Sequence, residues 1–145
     1  MKNFFDVNRI FGVEIEFLST IDRYALQNKC RELGVACCVE GYNHIDNDNY
    51  WKIVTDSSCG LEIVSPRLKG MDGVEQIKKV CEALNSLGAK VDKSCGLHIH
   101  HDARDFRVSN FKNILINYVK FEKVFDSMMP NSRRSNTNGF CRSLF

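Results

Sequence analysis

The stretch Ile10–Leu18, IFGVEIEFL, constrains the fold more than any other part of the chain. Phe11, Val13, Ile15 and Phe17 alternate with Gly12, Glu14, Glu16 and Leu18, the period of two that a half-buried β-strand requires. One side of this strand is wholly apolar and must be covered; the other carries two carboxylates. A chain built around it needs a sheet with one packed face and one accessible face.

The remaining elements fit that plan. Thr20 can cap a helix running to about Leu33, with Gly34 as its stop. Strands are expected near Val35–Val39 and Tyr50–Thr55, on either side of the polar loop Gly41–Asn49. Asp56–Gly60 reads as a turn into the strand Leu61–Ser65, which Pro66 ends. Asp72 can cap a second helix, with Val74, Ile77, Val80, Cys81, Leu84 and Leu87 on one side and Gly88 beyond its end. A short strand Ala89–Asp92, the turn Ser94–Gly96 and the strand Leu97–Asp102 follow. Ser109 opens a third helix to about Met128, whose core stripe would be Phe111, Ile114, Leu115, Tyr118, Phe121 and Phe125, and Pro130 stops it. No internal repeat or linker stands out. Pairs of consecutive strands between helices favour an α+β fold, an antiparallel or mixed sheet with helices on one face.

Size and charge narrow the function. The 145 residues suit a single domain, and 20 Lys+Arg against 18 Asp+Glu is too even a balance to point to nucleic acid or an anionic membrane. No apolar run approaches the roughly 20 residues that span a bilayer, and charge interrupts what would be a signal peptide's apolar region, so a cytoplasmic location is expected. The seven cysteines show no C-x-x-C spacing. They read as reduced thiols used as small core residues rather than as a disulfide framework or a zinc site.

Glu14 and Glu16 share the polar face of their strand, where two carboxylates repel unless a cation or a proton intervenes. Mg²⁺ favours such hard oxygen ligands, although two ordinary solvated glutamates would give the same pattern. His98 and His100, in CGLHIHHD, repeat the two-residue spacing on another strand, and imidazoles there can bind a metal or donate to phosphate or carboxylate oxygens. Glu62 can add a third carboxylate, and Asp56 stands before the turn; alone, either acid is more often a turn or rim residue. His101 and His44 read as bystanders and Trp51 as core. Arg133, Arg134 and Arg142 lie in a basic tail, 131–145, able to pair phosphate oxygens two at a time or simply to be solvated.

In order, F-G-V-E-I-E, W-K-I-V-x-D-x-S, G-L-E-I-V-S-P and C-G-L-H-I-H resemble the amidoligase family of the carboxylate–amine ligase superfamily, related to glutamine synthetase and glutamate–cysteine ligase. The resemblance covers about Arg9 to Asp102. It implies a glutamine-synthetase-like sheet that holds ATP and Mg²⁺, with Glu14, Glu16 and Glu62 as metal ligands. His98 and His100 would face nucleotide phosphates or a substrate carboxylate, and Asp56 would bind or deprotonate the amine. The implied reaction is phosphorylation of a carboxylate by ATP, then displacement of phosphate by an amine. No P-loop is present, so a nucleotide would need this sheet-based site. Family members generally continue past the third helix. The chain is therefore expected to be a minimal form, a homo-oligomer that completes its site from a second subunit, or a non-catalytic binding protein that kept the fold. A metal-dependent hydrolase on the same residues ranks below these.

Overall fold

The computed structural model describes residues 8–43, 45 and 47–144. It forms two compact units, Met1–Asp102 and Ala103–Phe145. The first unit is α+β. In chain order it holds β1 (Ile10–Leu18), α1 (Arg23–Glu32), β2 (Cys37–Val39), β3 (Trp51–Asp56), β4 (Gly60–Val64), β5 (Leu68–Lys69), α2 (Gly70–Ser86) and β6 (Leu97–His101). These strands make one six-stranded mixed sheet, in which β2 and β3 are parallel and every other pairing is antiparallel.

β1 is the hub. Phe11 pairs with both Leu68 and His101, and Glu14 with both Val64 and His98. So β4 and β5 share one edge of β1, and β6 takes the other. The β4 and β5 registers on β1 differ by one residue, which makes Ser65–Arg67 a bulge where Pro66 interrupts the ladder. The sequence places a strand end at Pro66, but the chain resumes its pairing beyond the bulge.

The alternation in β1 holds. Val13 and Phe17 join Trp51, Ile53, Leu61, Ile63 and Leu68 in one buried cluster, covered by Leu26 and Cys30 of α1 and by Val80, Ala83 and Leu84 of α2. Both helices therefore lie on one face. Trp51 is core, as expected, and its indole N–H donates to Gln76 Oε1 of α2 at 3.0 Å. The outer edge of β2 is occupied by α1 side chains. Val39 N–H donates to Gln27 Oε1 (2.8 Å), and Arg31 Nε donates to the Cys37 carbonyl (2.9 Å). Among described residues no disulfide forms; Cys30, Cys37 and Cys59 are buried as core thiols, but Cys81 is exposed and Cys38, Cys95 and Cys141 are only half-buried.

Several local expectations need correction. Asp22, not Thr20, caps α1, accepting from Ala25 N–H at 2.8 Å, because its short carboxylate reaches the third residue on. Asp72 lies inside the first turn of α2, whose cap is Lys69. Residues 89–92 make no strand: Lys90 accepts one bond from Leu18 N–H, and the Asp92 turn then diverts the chain.

The second unit holds α3 (Val108–Met128) and a short 3-10 turn, Asn131–Arg133. Within it, the expected core stripe Phe111, Ile114, Leu115, Tyr118, Phe121 and Phe125 is exposed, since one helix and a short tail supply too little chain to enclose it. The tail is tied to α3 through Glu122, which accepts from Ser143 Oγ and Leu144 N–H, both at 3.1 Å.

Gly60 opens β4 at φ 114°, a backbone region that side chains rarely adopt, and a Cβ there would collide with Ser19 Oγ. Gly60→Ala should therefore cost roughly 1–3 kcal/mol, whereas Gly41→Ala, with open space around it, should stay within about 0.5 kcal/mol. Urea unfolding of both variants checks the difference.

Candidate active site

The open face of the sheet collects the side chains that alternate away from the core. Strand register alone places Glu14 beside His98, Glu16 beside Glu62, and Gly12 beside His100. His98 donates from Nδ1 to Glu14 Oε2 at 2.9 Å, and His100 Nε2 lies 3.3 Å from Glu14 Oε1. One donor atom from each of Glu14, Glu62 and His98 falls within 4.8 Å of the others. The five residues expected from the two-residue spacings and from the third carboxylate thus converge on one patch.

Glu16 is 8% exposed. Its Oε2 accepts the Gly96 N–H at 2.6 Å, so a backbone amide offsets part of its charge. Its Oε1 faces His98 Nε2 at 3.6 Å, too far for a hydrogen bond. With Nδ1 bonded to Glu14, the other ring nitrogen of His98 is turned toward a second carboxylate. That arrangement is favourable only with a proton or a cation between the two groups. A Cβ at position 96 would approach His98 Nε2 to 3.0 Å and Glu16 Oε2 to 3.4 Å, filling that space. Glycine keeps it open.

The electrostatics point the same way. Burial, and then the charges of Glu14, Asp56 and Glu16, push Glu62 up to about 7. Burial also acts upward on Glu14, but the bonds from His98 and His100 outweigh it and leave Glu14 below the usual range. Three crowded carboxylates with two imidazoles are suited to a divalent cation, whose bonds of about 2.1 Å would draw such donors together. Glu14, Glu62 and His98 could hold it, with Glu16 and His100 adjoining.

Asp56 sits at the end of β3, where its Oδ1 accepts from Ser58 N–H (2.7 Å), Ser58 Oγ–H and Cys59 N–H (3.0 Å). These bonds, led by the Ser58 hydroxyl, hold it down to about 2. So strong an acid is a poor proton acceptor near neutrality, and its main task here is the turn. It also groups with Glu16 and Cys59 within 4.8 Å, but burial and the bond to Asp56 push the Cys59 thiol up to about 12 and keep it protonated. Arg133, Arg134 and Arg142 belong to the second unit. His101 alternates to the opposite side of β6 from His98 and His100. His44 lies outside the described residues.

One feature escaped the sequence reading. Asp56–Leu61 (DSSCGL) and Asp92–Leu97 (DKSCGL) share five of six residues, despite the expectation of no internal repeat. Each aspartate accepts from the N–H of the serine two residues on, at 2.7 Å in both turns. Each segment then feeds a strand that pairs antiparallel with β1, one on either edge. Glu16 lies between them, paired with Glu62 of β4 on one side and bonded both ways to the Gly96 backbone on the other. The repeated D-x-S-C-G-L was the available signal.

The sequence model of the family described as "Putative amidoligase enzyme" matches residues 7–144. The chain belongs to this family. No curated protein and no solved structure matches it.

Because Glu62 binds its proton more tightly folded than unfolded, its contribution to stability is greatest below about pH 4.5, falls as pH rises toward 7, and is flat beyond. Thermal unfolding between pH 5 and 8 should show this decline, and Glu62→Gln should flatten it. Mn²⁺ at pH 7.5 should raise the melting temperature of the parent protein more than that of the variant.

Proposed function

We propose that this amidoligase-family chain is an ATP- and Mg²⁺-dependent carboxylate–amine ligase, working on the open face of a sheet of the glutamine-synthetase type. The observation that carries the reading is the convergence of Glu14, Glu62 and His98, with Glu16 Oε1 3.6 Å from His98 Nε2 across the gap that Gly96 leaves. This donor set fits a hard or borderline divalent cation. Bound there, Mg²⁺ would supply charge neutralisation for phosphoryl transfer.

The protein's own groups then divide the remaining work. Glu14 orients both imidazoles: His98 turns Nε2 toward the cation position, and His100 is held where it can donate to the anionic oxygens of a nucleotide or a substrate carboxylate. Glu62, crowded by Glu14, Asp56 and Glu16, joins Glu14 and His98 in holding the cation, which would take the place of its proton. Asp56 offers negative charge at the end of β3 for an ammonium, not a base. Arg133, Arg134 and Arg142 enter as phosphate-pairing groups on the chemistry of the guanidinium fork. The reaction forms an acyl phosphate with release of ADP, and amine attack on its carbonyl carbon then releases phosphate and leaves an amide. Carboxylate and amine are small molecules or peptides.

The test is calorimetry of ATP binding with and without Mg²⁺, followed by phosphate release across panels of carboxylates with hydroxylamine as the amine. Magnesium-dependent binding, weakened by about tenfold or more in Glu14→Gln (more than about 1.4 kcal/mol), supports the reading, as does a hydroxamate product. No magnesium-dependent binding overturns it. Binding without turnover on any substrate leaves the non-catalytic alternative.

A further inference from the structure

The open face carries one buried cation that the reading above does not use. Lys52 stands in β3 between Trp51 and Ile53, whose side chains enter the core, so its own side chain leaves on the open face. It pairs with Val64 on β4, which pairs with Glu14 on β1. Lys52 is thus in the same cross-strand row as Glu14, two strands away, about 10 Å by ordinary strand spacing. Yet it is only 5% exposed. Lysine is rarely buried unless a specific partner holds it.

Among the described residues, the partners of its ammonium lie in the segment between β2 and β3. Lys52 Nζ donates to Asn43 Oδ1 at 3.0 Å and to the Ile45 carbonyl at 2.8 Å. Asn43 Oδ1 also accepts Ile45 N–H (3.1 Å), while Asn43 Nδ2 donates to Glu40 Oε2 (2.7 Å). Glu40 Oε1 accepts the Tyr50 hydroxyl proton at 2.6 Å, joining the two ends of the segment. The Tyr50 and Asn43 bonds, with the Lys52 charge, hold the Glu40 carboxyl below its usual range. Tyr50, Glu40, Asn43 and Lys52 form one continuous polar network. It fastens the described part of the segment over the β3 side of the open face. Val54, the next residue on that face, is buried as well.

We propose that Lys52 is a positioning residue. Its ammonium holds Asn43 and Ile45 in place as a wall of the ligand-binding face, and it acts on a bound nucleotide or substrate through that wall rather than by touch. A methionine would fill the same volume without a desolvated charge, so packing alone does not account for lysine here. The need for a wall is chemical, since an acyl phosphate exposed to water hydrolyses before an amine reaches it. The proposal rests on the ligase reading only for the identity of the ligand.

The test uses the intact chain with Lys52→Met, Lys52→Arg and, should the first fail to fold, Asn43→Ala. Hydrogen exchange reads the backbone amides of Ile45, Asn49 and Tyr50. Calorimetry reads Mn²⁺ binding, and the release of Mg²⁺·ATP is timed by stopped flow. In Lys52→Met or Asn43→Ala we expect the three amides to exchange roughly tenfold faster and Mg²⁺·ATP to leave roughly tenfold faster. Mn²⁺ affinity should stay within about twofold, and Lys52→Arg should recover most of both losses. Unchanged exchange in the variants overturns the proposal, as does faster exchange with unchanged nucleotide release. Failure of the parent protein to bind Mn²⁺ or Mg²⁺·ATP instead overturns the ligase reading, and the exchange result then decides alone whether Lys52 holds the wall.

Discussion

Everything in the first unit depends on β1 being paired along both edges while its side chains alternate between two incompatible environments. The odd-numbered positions Val13 and Phe17 are sealed beneath α1 and α2, which fixes the register, because a slip of one residue would drive Glu14 and Glu16 into the core. The even positions are then obliged to face outward together. The crowding of carboxylates is thus enforced by hydrophobic packing on the other side of the sheet. The core supplies the free energy that holds like charges near one another.

The flanking strands turn that enforced repulsion into a site. β4 brings Glu62 to one side of Glu16, and β6 brings His98 to one side of Glu14. Imidazole donors relieve Glu14, a backbone amide relieves one oxygen of Glu16, and Glu62 keeps its proton up to about pH 7. Each carboxylate has found a different partial remedy, and the proposed cation centre rests on that arrangement. The two D-x-S-C-G-L turns make this possible, because they deliver both neighbouring strands to β1 in matching antiparallel fashion.

Much of this was legible in the sequence because it depends on period-two alternation, which survives without knowledge of partners. The strand faces of Glu14, Glu16, Glu62, His98 and His100 follow from it, and the α+β class, with an antiparallel or mixed sheet, follows from the pairs of consecutive strands between helices. Features set by tertiary contact were not legible. Local rules place Asp56 in a turn, but the strength of its acid depends on where Ser58 and Cys59 point, and the burial of Lys52 goes with the bonds that Asn43 and Ile45 accept from its ammonium. β5 exists because a bulge carries the pairing past Pro66, which local rules read as an end. The α3 stripe shows the opposite failure: its periodicity is clear, but periodicity says only which side is apolar, not whether anything covers it.

The central claim is that the patch on β1, β4 and β6 is a divalent-cation centre. Crystals soaked in Mn²⁺ and measured at the manganese absorption edge test it most directly. The account predicts an anomalous peak bonded to Glu14, Glu62 and His98, lost in crystals of Glu14→Gln. Ordered crystals with no peak among these residues, or a peak that persists unchanged in the variant, would contradict it.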